Sequence, residues 1–194
     1  MTTPRESKKV LRQEALARRD ALGETWRIDA SLRIAAWAEE IAPPPGSVAS
    51  GFWPIRSEVD VRPLMTRLRE KGARLALPAI LDKTTMIFRE FERDRTLVDM
   101  GFGTMGPDAN AVVLEPDLVL VPLAAFDGRG HRIGYGAGYY DRAIERLRAD
   151  GHAPRLVGIA FDCQQVDRVP DEPHDVVVPE ILTESGLRRF AASR

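Results

Sequence analysis

The sequence predicts an α/β protein with a mostly parallel central sheet flanked by helices. Three observations lead to this class. Helical patterns alternate with apolar, strand-like segments over most of the chain. Residues 118–121, LVLV, form a continuous apolar run, as in a strand buried on both faces of a parallel sheet. A glycine-rich stretch, residues 128–141, separates that strand from a further helical pattern.

The bulk composition is that of one soluble globular domain. The chain has 194 residues, of which 44% are hydrophobic and 29% charged, and its formal net charge is −1. Such a charge gives no sign of a nucleic-acid partner or of an anionic membrane surface. A single cysteine, Cys163, excludes an internal disulfide framework and fits a reducing compartment. No signal peptide is visible, and no run approaches the ~18 apolar residues of a membrane span. We therefore expect one cytoplasmic domain over residues 1–194, and a monomer.

The first forty residues predict two helices. Ser7 is expected to cap the first, and Thr25 the second, which ends before the prolines at 43–45. Lys8 and Arg12 are four residues apart and therefore project from one face of the first helix. On spacing alone, the simplest interpretation is a solvated face whose cations pair with neighbouring acids, namely Glu6, Glu14 or Asp20.

The rest of the chain predicts short strands and two more helices. Strands are expected over residues 48–53, 74–79, 85–91, 118–121, 155–161, 176–178 and 187–191. Helices are expected over residues 63–70, beginning at Ser57 or Asp60, and over residues 139–150. Asp127-Gly128 is a tight-turn dipeptide and predicts a small hairpin or loop over residues 124–132. Residues 92–115 lack a periodic pattern, which predicts either a loop that covers a site or an irregular connection without a role.

The glycine-rich stretch, GRGHRIGYGAGYYD, suggests an anion site. Its five glycines precede a helix, so that backbone N–H groups and a helix N-terminus can point at a phosphate. Arg129 and Arg132 lie beside it and can bind a phosphate, while Asp141 is either a helix-start acid or a Mg²⁺ ligand. On chemistry alone, phosphate or nucleotide binding and a simple tight turn are equal alternatives.

The usual nucleotide and hydrolase motifs are missing. The chain has no P-loop, and its G-x-G-x-G spacing is one residue short of the dinucleotide fingerprint. It also lacks a nucleophile elbow, an H-E-x-x-H motif and paired cysteines, which argues against serine hydrolases and zinc sites.

The glycine-rich stretch resembles the signature of the 5-formyltetrahydrofolate cyclo-ligase family. The resemblance rests on residues 118–122, Ala125-Phe126-Asp127 and residues 132–142, and it spans almost the whole chain, with only a loose match over residues 92–117. Further matching features follow in the family's order: residues 8–12, Glu58-Val59-Asp60, Leu77-Pro78, Val169-Pro170, His174-Asp175 and Thr183-Glu184. The resemblance implies a Rossmann-like three-layer α/β sandwich and an ATP-dependent ring closure on a folate.

The resemblance also implies roles for individual residues. Lys8, Arg132 and Tyr139 are the candidate catalytic residues, and Asp141 and Asp175 the candidate Mg²⁺ ligands. ATP is expected to contact Lys8, Lys9 (an alternative to Lys8 if the register slips by one), Arg12, Arg132, Ile133, Gly134, Tyr135, Gly136, Ala137, Gly138, Tyr139 and Tyr140. The folate is expected to contact Trp53, Glu58, Tyr135, Gly136, Ala137, Gly138 and Tyr139. From the residues alone, the simpler interpretations are favoured, namely a core tryptophan for Trp53, a helix-start acid for Glu58 and a turn residue for Asp175.

The implied reaction converts 5-formyltetrahydrofolate into 5,10-methenyltetrahydrofolate, with Mg²⁺ as cofactor and ATP as co-substrate. It would proceed through a phosphorylated formyl group, an iminium phosphate, and release ADP and phosphate. The alternatives are another ATP-dependent ligase or a non-catalytic folate- or nucleotide-binding module.

Overall fold

A computed structural model describes residues 4–172 and 175–190. Its helices are α1 (Pro4–Asp20), α2 (Glu24–Ala36), α3 (Ala38–Ile41), α4 (Arg62–Glu70) and α5 (Tyr139–Ala149), with a short 3₁₀ turn at Asp162–Gln164. Its strands are β1 (Val48–Ser50), β2 (Arg74–Ile80), β3 (Met86–Glu90), β4 (Leu97–Asp99), β5 (Met105–Pro107), β6 (Leu118–Pro122), β7 (Ala125–Phe126), β8 (Arg132–Ile133), β9 (Arg155–Ile159), β10 (Glu180–Thr183) and β11 (Gly186–Arg189).

A seven-stranded sheet forms the centre of this described part, in the order β11-β10-β9-β6-β1-β2-β3. The five inner strands are parallel, whereas β11 and β3 are antiparallel edges. The chain runs from β1 outward to β2 and later returns to β6 on the other side of β1. The direction of strand progression therefore reverses between β1 and β6, which is where open α/β sheets bind their ligands.

Helices cover both faces of this sheet. On one face, α2, α3 and α4 bury side chains such as Ile34 and Leu64 against Leu75 and Leu118. On the other, α5 buries Ala143, Ile144 and Leu147 against a second cluster that includes Val119 and Val121. This arrangement confirms the predicted α/β class with a mostly parallel sheet between helical layers. Helix α1 is set apart, because its Ala15 packs on the β7–β8 hairpin, against Ala125 and Ile133, beyond the end of β6.

Both predicted caps of the first two helices are wrong. Helix α1 begins at Pro4, where a proline fits the first turn, so Ser7 lies inside the helix. Gly23 precedes α2 without a side-chain cap bond among the described residues, and Thr25 is already helical. The predicted second helix is also interrupted at Trp37, which separates α2 from α3.

The start of α4 also differs from the sequence prediction. The helix begins at Arg62, after Val61, later than either Ser57 or Asp60. Asp60 nevertheless supports this end of the helix, because its Oδ1 accepts a hydrogen bond of 3.0 Å from the Arg62 N–H.

Several strand boundaries also differ. Strand β1 ends at Ser50, whereas the prediction extended to residue 53. Residues 176–178 are not a strand, since the Val178 N–H donates to Gly130 O of the β7–β8 turn at 3.0 Å. The strand in this part of the chain is β10, which begins two residues later. Residues 92–115 are more ordered than predicted, because β4 and β5 form a small antiparallel hairpin there.

The structure adds one finding on membranes. No helix in the described ranges is long and apolar enough to cross a membrane. The prediction of one domain over residues 1–194 includes the residues outside these ranges and stays a prediction.

Candidate active site

The candidate site lies at the carboxyl ends of β1 and β6. The loop after β1 carries Phe52, Trp53 and Glu58, and the chain after β6 forms the β7–β8 hairpin and then the glycine loop, residues 134–138. A small void, too narrow for a water molecule, lies between the loop after β1 and the end of β6 and is lined by Arg19, Phe52, Glu58, Pro122 and Leu123. Both signature segments therefore meet at the topological switch point of the sheet.

Helix α1 presents a stripe of basic side chains to this edge. Lys8, Arg12, Ala15 and Arg19 follow one another at spacings of four, three and four residues, which places them on one helix face. Ala15 is fully buried and Arg19 is 1% exposed. Lys9, by contrast, is exposed on another face. The structure thus favours Lys8 over Lys9 as the residue that faces the site.

Arg12 is placed against the glycine loop. Its Nε donates a 2.7 Å hydrogen bond to Gly134 O. Gly136 adopts φ +100°, and a Cβ built there would lie 3.6 Å from Arg12 Nη2. Burial lowers the pKa of the Arg12 guanidinium, but arginine remains protonated at neutral pH. A guanidinium and a backbone that can take positive φ are therefore side by side, as an anion site requires.

The glycine loop leads directly into α5. Gly138 precedes the helix in the left-handed conformation, with φ +66° and ψ +17°. Ala137 and Gly136 are exposed at the tip of the loop. The N-terminus of α5 has no side-chain cap bond among the described residues, so its first N–H groups are available to a ligand.

Asp127 holds the hairpin that precedes the loop. Its side chain is completely buried. Oδ1 accepts hydrogen bonds from the N–H groups of Arg129 and His131, and Oδ2 accepts from the Arg129 guanidinium and from Val169 N. Burial alone would raise the pKa of Asp127, but these hydrogen bonds and the Arg129 charge lower it below the usual value. Arg129 therefore has a structural partner and does not face the glycine loop as a free cation.

Arg132 is buried in a network of its own. It is 8% exposed, its Nη1 donates to Val176 O at 2.7 Å, and its Nη2 donates to Asp141 Oδ1 at 3.0 Å. Its Nε is buried and has no hydrogen-bond partner among the described residues, and the same holds for the Tyr140 hydroxyl. Burial raises the pKa of Tyr140. Arg132 thus ties α5 to the segment around Val176, and Nη1 and Nη2 each keep a second N–H that can donate, whereas Nε is buried.

Lys8 contacts acids that are distant in sequence. Its Nζ donates to Glu172 Oε2 at 2.8 Å and to Asp175 Oδ2 at 2.6 Å. Burial alone would lower the pKa of Lys8, but these two carboxylates raise it. The expectation that Lys8 and Arg12 pair with neighbouring acids on α1 is therefore wrong, because both reach across to other segments. The family feature His174 lies outside the described residues.

Asp141 and Asp175 are brought to the same region. The Val176 N–H, one residue after Asp175, donates to Asp141 Oδ1 at 3.2 Å. No group of three or more His, Cys, Asp and Glu that could hold a metal is found within residues 4–172 and 175–190. Magnesium, however, usually binds to only one or two protein carboxylates, with water and phosphate oxygens as its other ligands. Two neighbouring carboxylates therefore fit a Mg²⁺ ion that arrives with a nucleotide.

Glu58 is held by a buried polar network. Its Oε2 accepts a 2.8 Å hydrogen bond from Ile55 N. Burial raises its pKa, while a hydrogen bond from Tyr135 opposes that shift. Arg19 Nη1 in turn donates to the Tyr135 hydroxyl at 2.6 Å. The β1 loop and the glycine loop are thus linked through a tyrosine and an arginine.

Two aromatic residues lie next to the site, Trp53 in the loop after β1 and Tyr139 at the start of α5. Trp53 packs edge-on against Phe91, with ring centroids 6.4 Å apart, and the Arg62 guanidinium lies 5.3 Å from its ring. Its partial burial fits both a core tryptophan and an apolar wall. Tyr139 donates its hydroxyl to Asp82 O at 3.1 Å, and its ring contacts the exposed Phe102 of the β4–β5 hairpin. The segment over residues 92–115 therefore reaches the start of α5, directly after the glycine loop.

Sequence reasoning missed the role of two residues, Arg19 and Asp127. Arg19 belongs to an Arg18-Arg19 pair in which both look like exposed helix-end cations. The available signal was its spacing from Lys8 and Arg12, which puts it on their face. The sequence predicts Asp127 only as a turn residue. Nothing local in the sequence indicates that its buried carboxylate accepts hydrogen bonds from both Arg129 and the distant Val169 N.

Comparisons with known proteins agree with this geometry. The profile of the 5-formyltetrahydrofolate cyclo-ligase family matches residues 4–184. A 5-formyltetrahydrofolate cyclo-ligase of Mycolicibacterium smegmatis is 31% identical over 185 residues, which are 91% of this chain and 93% of the relative.

Solved structures show the same relationship. The 5,10-methenyltetrahydrofolate synthetase of Aquifex aeolicus is similar with a TM-score of 0.78 at 29% identity, covering 96% of this chain and 94% of that one. The corresponding Mycoplasma pneumoniae enzyme gives a TM-score of 0.72 at 25% identity, over 91% and 98% of the two chains. The predicted family and enzyme class are thereby confirmed, and the chain belongs to the 5-formyltetrahydrofolate cyclo-ligase family.

Proposed function

We propose that this protein uses ATP and Mg²⁺ to convert 5-formyltetrahydrofolate into 5,10-methenyltetrahydrofolate. The observation that carries the proposal is the meeting of two differently equipped loops at one sheet edge. The glycine loop, with Arg12 beneath it, suits an anionic phosphate chain. The β1 loop, with the partly buried Glu58, suits a heterocycle that presents N–H groups.

The nucleotide would bind along the basic stripe of α1. Lys8 and Arg12 would contact its phosphates from one side, and the N–H groups of residues 134–138 and of the α5 N-terminus from the other. Asp141 and Asp175 would hold the Mg²⁺ ion, which supplies charge neutralisation at the phosphate oxygens. Lys8 now contacts Asp175, so it would have to share that carboxylate with the ion.

The folate would bind with its pterin ring against the β1 loop. A carboxylate can accept two parallel hydrogen bonds from neighbouring N–H groups on a ring, and Glu58 would bind the pterin in this way. Trp53 would provide an apolar wall. The formyl group would then point to residues 135–139, where it meets the terminal phosphate of ATP.

The chemical problem is that a formyl group on a ring nitrogen is a resonance-stabilised amide with a poor leaving group. In the proposed reaction, the N5-formyl oxygen attacks the γ-phosphorus and ADP leaves, which gives an iminium phosphate. N10 then attacks the activated carbon and loses its proton, the C–O bond breaks, and phosphate leaves with the former formyl oxygen. The methenyl bridge remains between N5 and N10.

The residues of the chain would contribute position and charge rather than a covalent bond. Lys8 and Arg132 would offset the charge that develops on the transferred phosphoryl group, as in phosphoryl transfer generally. For Arg132 this contact would use the second N–H of Nη1 or Nη2, because each of these nitrogens gives only one hydrogen to Val176 O or Asp141. The Tyr139 hydroxyl would orient the formyl end of the folate once it leaves Asp82 O.

The test is an absorbance assay with purified protein, 5-formyltetrahydrofolate and Mg-ATP. Formation of the methenyl chromophore only when ATP and Mg²⁺ are both present would support the proposal. An Arg12→Gln variant, which removes the cation at the glycine loop, should raise the KM for ATP about tenfold or more. Binding of either ligand without turnover would instead indicate a non-catalytic binding module, and turnover of ATP with another acceptor a different ligase.

The cellular setting follows from the substrates. ATP and reduced folate are metabolites of the cytoplasm, and we propose that the protein acts there as a monomer, without a membrane or nucleic-acid partner. A sedimentation measurement of its mass in solution tests the oligomeric state.

A further inference from the structure

Arg19 stands out among the charged residues, because it is only 1% exposed and yet makes no hydrogen bond to a carboxylate within the part of the chain that the structure describes. Burial of a cation is costly unless hydrogen bonds and nearby charge compensate it. Arg19 satisfies this need through two hydroxyl groups, those of Ser57 and Tyr135. The arrangement needs a reason, since a methionine or leucine would fill the same helix position at lower cost.

The first arm of this network reaches the β1 loop. Arg19 Nε donates to Ser57 Oγ at 2.9 Å, and the Ser57 hydroxyl donates in turn to Asp20 Oδ1. Ser57 directly precedes Glu58 in the chain. The backbone that carries Glu58 is therefore tied to the end of α1.

The second arm reaches the glycine loop. Arg19 Nη1 donates to the Tyr135 hydroxyl at 2.6 Å, and that hydroxyl lies near enough to the Glu58 carboxylate to stabilise its charge. A guanidinium can only donate hydrogen bonds, and a tyrosine hydroxyl has a single proton. The oxygen of Tyr135 must therefore accept from Arg19, which directs its O–H toward Glu58.

We infer that Arg19 is a positioning residue that fixes Tyr135 and Glu58 as one unit for binding the folate. It would act through Tyr135 and Ser57 and would not touch the substrate itself. The ring of Tyr135 is 37% exposed, so without Arg19 its hydroxyl could turn toward solvent and release Glu58. This inference rests on the proposed function, because it assigns Glu58 to the folate.

The inference predicts a selective kinetic defect. Arg19→Met and Arg19→Lys should raise the KM for 5-formyltetrahydrofolate about 10- to 100-fold, as expected for the loss of one or two charge-assisted hydrogen bonds. The KM for ATP should change less than about threefold, because Arg19 contacts the glycine loop only through the Tyr135 hydroxyl, whereas the phosphates would meet the backbone N–H groups of that loop. Lysine keeps the charge but has no fork that reaches both hydroxyls, so its defect should be the smaller one.

A matched control lies next to Arg19 on the same helix. Arg18 is exposed and its Nε donates to Cys163 O at 2.8 Å, away from Glu58. Arg18→Met should leave both KM values within about twofold of the wild type. Circular dichroism and thermal melting of every variant show whether the protein is folded, and Arg19→Lys decides the question if Arg19→Met does not fold.

A double-mutant cycle separates positioning from general loosening. Tyr135→Phe removes one of the two hydroxyls through which Arg19 acts, so Arg19→Lys should cost less in that background than it does in the wild type. The inference would be overturned if the two substitutions lowered folate affinity by independent factors that multiply, or if they raised the KM of both substrates equally. Turnover by the wild-type protein would still support the proposed function in either case. A wild-type protein that neither binds 5-formyltetrahydrofolate in calorimetry nor turns it over would overturn both.

Discussion

Replacing Asp127 by asparagine tests whether the buried carboxylate at the β7–β8 turn holds the glycine loop in place. Asp127 accepts hydrogen bonds from three backbone N–H groups and from the Arg129 guanidinium, at 2.7 to 3.2 Å. All of these groups are donors. The amide nitrogen of an asparagine is also a donor, so one side of the new side chain must face donors in either orientation.

The expected loss follows from this geometry. Removing one partner of a buried ion pair costs about 3–5 kcal/mol. The Arg129 side chain is 33% exposed, so solvent can compensate part of its charge and the lower end, about 3 kcal/mol, applies. In a protein of this size, about 2–4 °C of melting temperature is lost per kcal/mol, which gives a decrease of about 6–12 °C.

The assay is urea and thermal unfolding at neutral pH, with Asp171→Asn as control. Asp171 contacts the same guanidinium at 3.1 Å, but its side chain is 40% exposed and its charge is screened by solvent, so its removal should destabilise the protein much less than that of Asp127. The pKa of Asp127 is lowered in the folded state, so its contribution is present above the unfolded value of about 3.9 and disappears as the pH falls through the folded value. An Asp127→Asn protein as stable as Asp171→Asn would refute the reasoning.

Three other changes have defined outcomes. Lys8→Met should raise the KM for ATP about tenfold in steady-state kinetics, and a larger effect from Lys9→Met would contradict the placement of the basic stripe. Gly136→Ala places a side chain on a backbone with φ +100°, which is strained although no atom clashes, so it should raise the KM of both substrates. Gly128→Ala is the control, because φ is not positive there and no atom lies near, and it should leave both KM values unchanged. The N–H and hydroxyl groups of Thr84 and Thr85 that bind the Asp82 carboxylate lower its pKa to about 2. Its carboxyl signal in an NMR titration should therefore move near that pH, and the stabilising effect of the charged carboxylate, present above about pH 3.9, should be lost as the pH falls toward about 2. A titration midpoint near about 3.9 would contradict these contacts.

Local sequence patterns predicted the centre of the fold well. The apolar run of β6, the turn at Asp127-Gly128 and the periodic helix α5 are each determined by neighbouring residues, and the structure has them where they were predicted. The strand predicted over residues 176–178 is wrong, although these residues are apolar. Their backbone hydrogen-bonds Arg132 and Gly130 instead of pairing with a neighbouring strand.

The candidate site was only partly predictable from the sequence. The glycine spacing indicates a flexible backbone, and the family signature names its neighbours, but the partner of each charge depends on tertiary contacts. Lys8 pairs with acids more than 160 residues away, as the separation of 164 from Glu172 shows. Arg19 looks the same as Arg18 until the helix is oriented against the sheet edge, and then one is buried while the other is exposed.

The fate of the formyl oxygen tests the proposed chemistry most directly. If 5-formyltetrahydrofolate carries ¹⁸O in its formyl group, attack of that oxygen on the γ-phosphorus must transfer the label to inorganic phosphate during a single turnover with Mg-ATP. Mass spectrometry of the phosphate should then show one ¹⁸O for each methenyltetrahydrofolate formed. Methenyl product accompanied by unlabelled phosphate would contradict the phosphorylated intermediate, and the absence of methenyl product would contradict the assigned reaction itself.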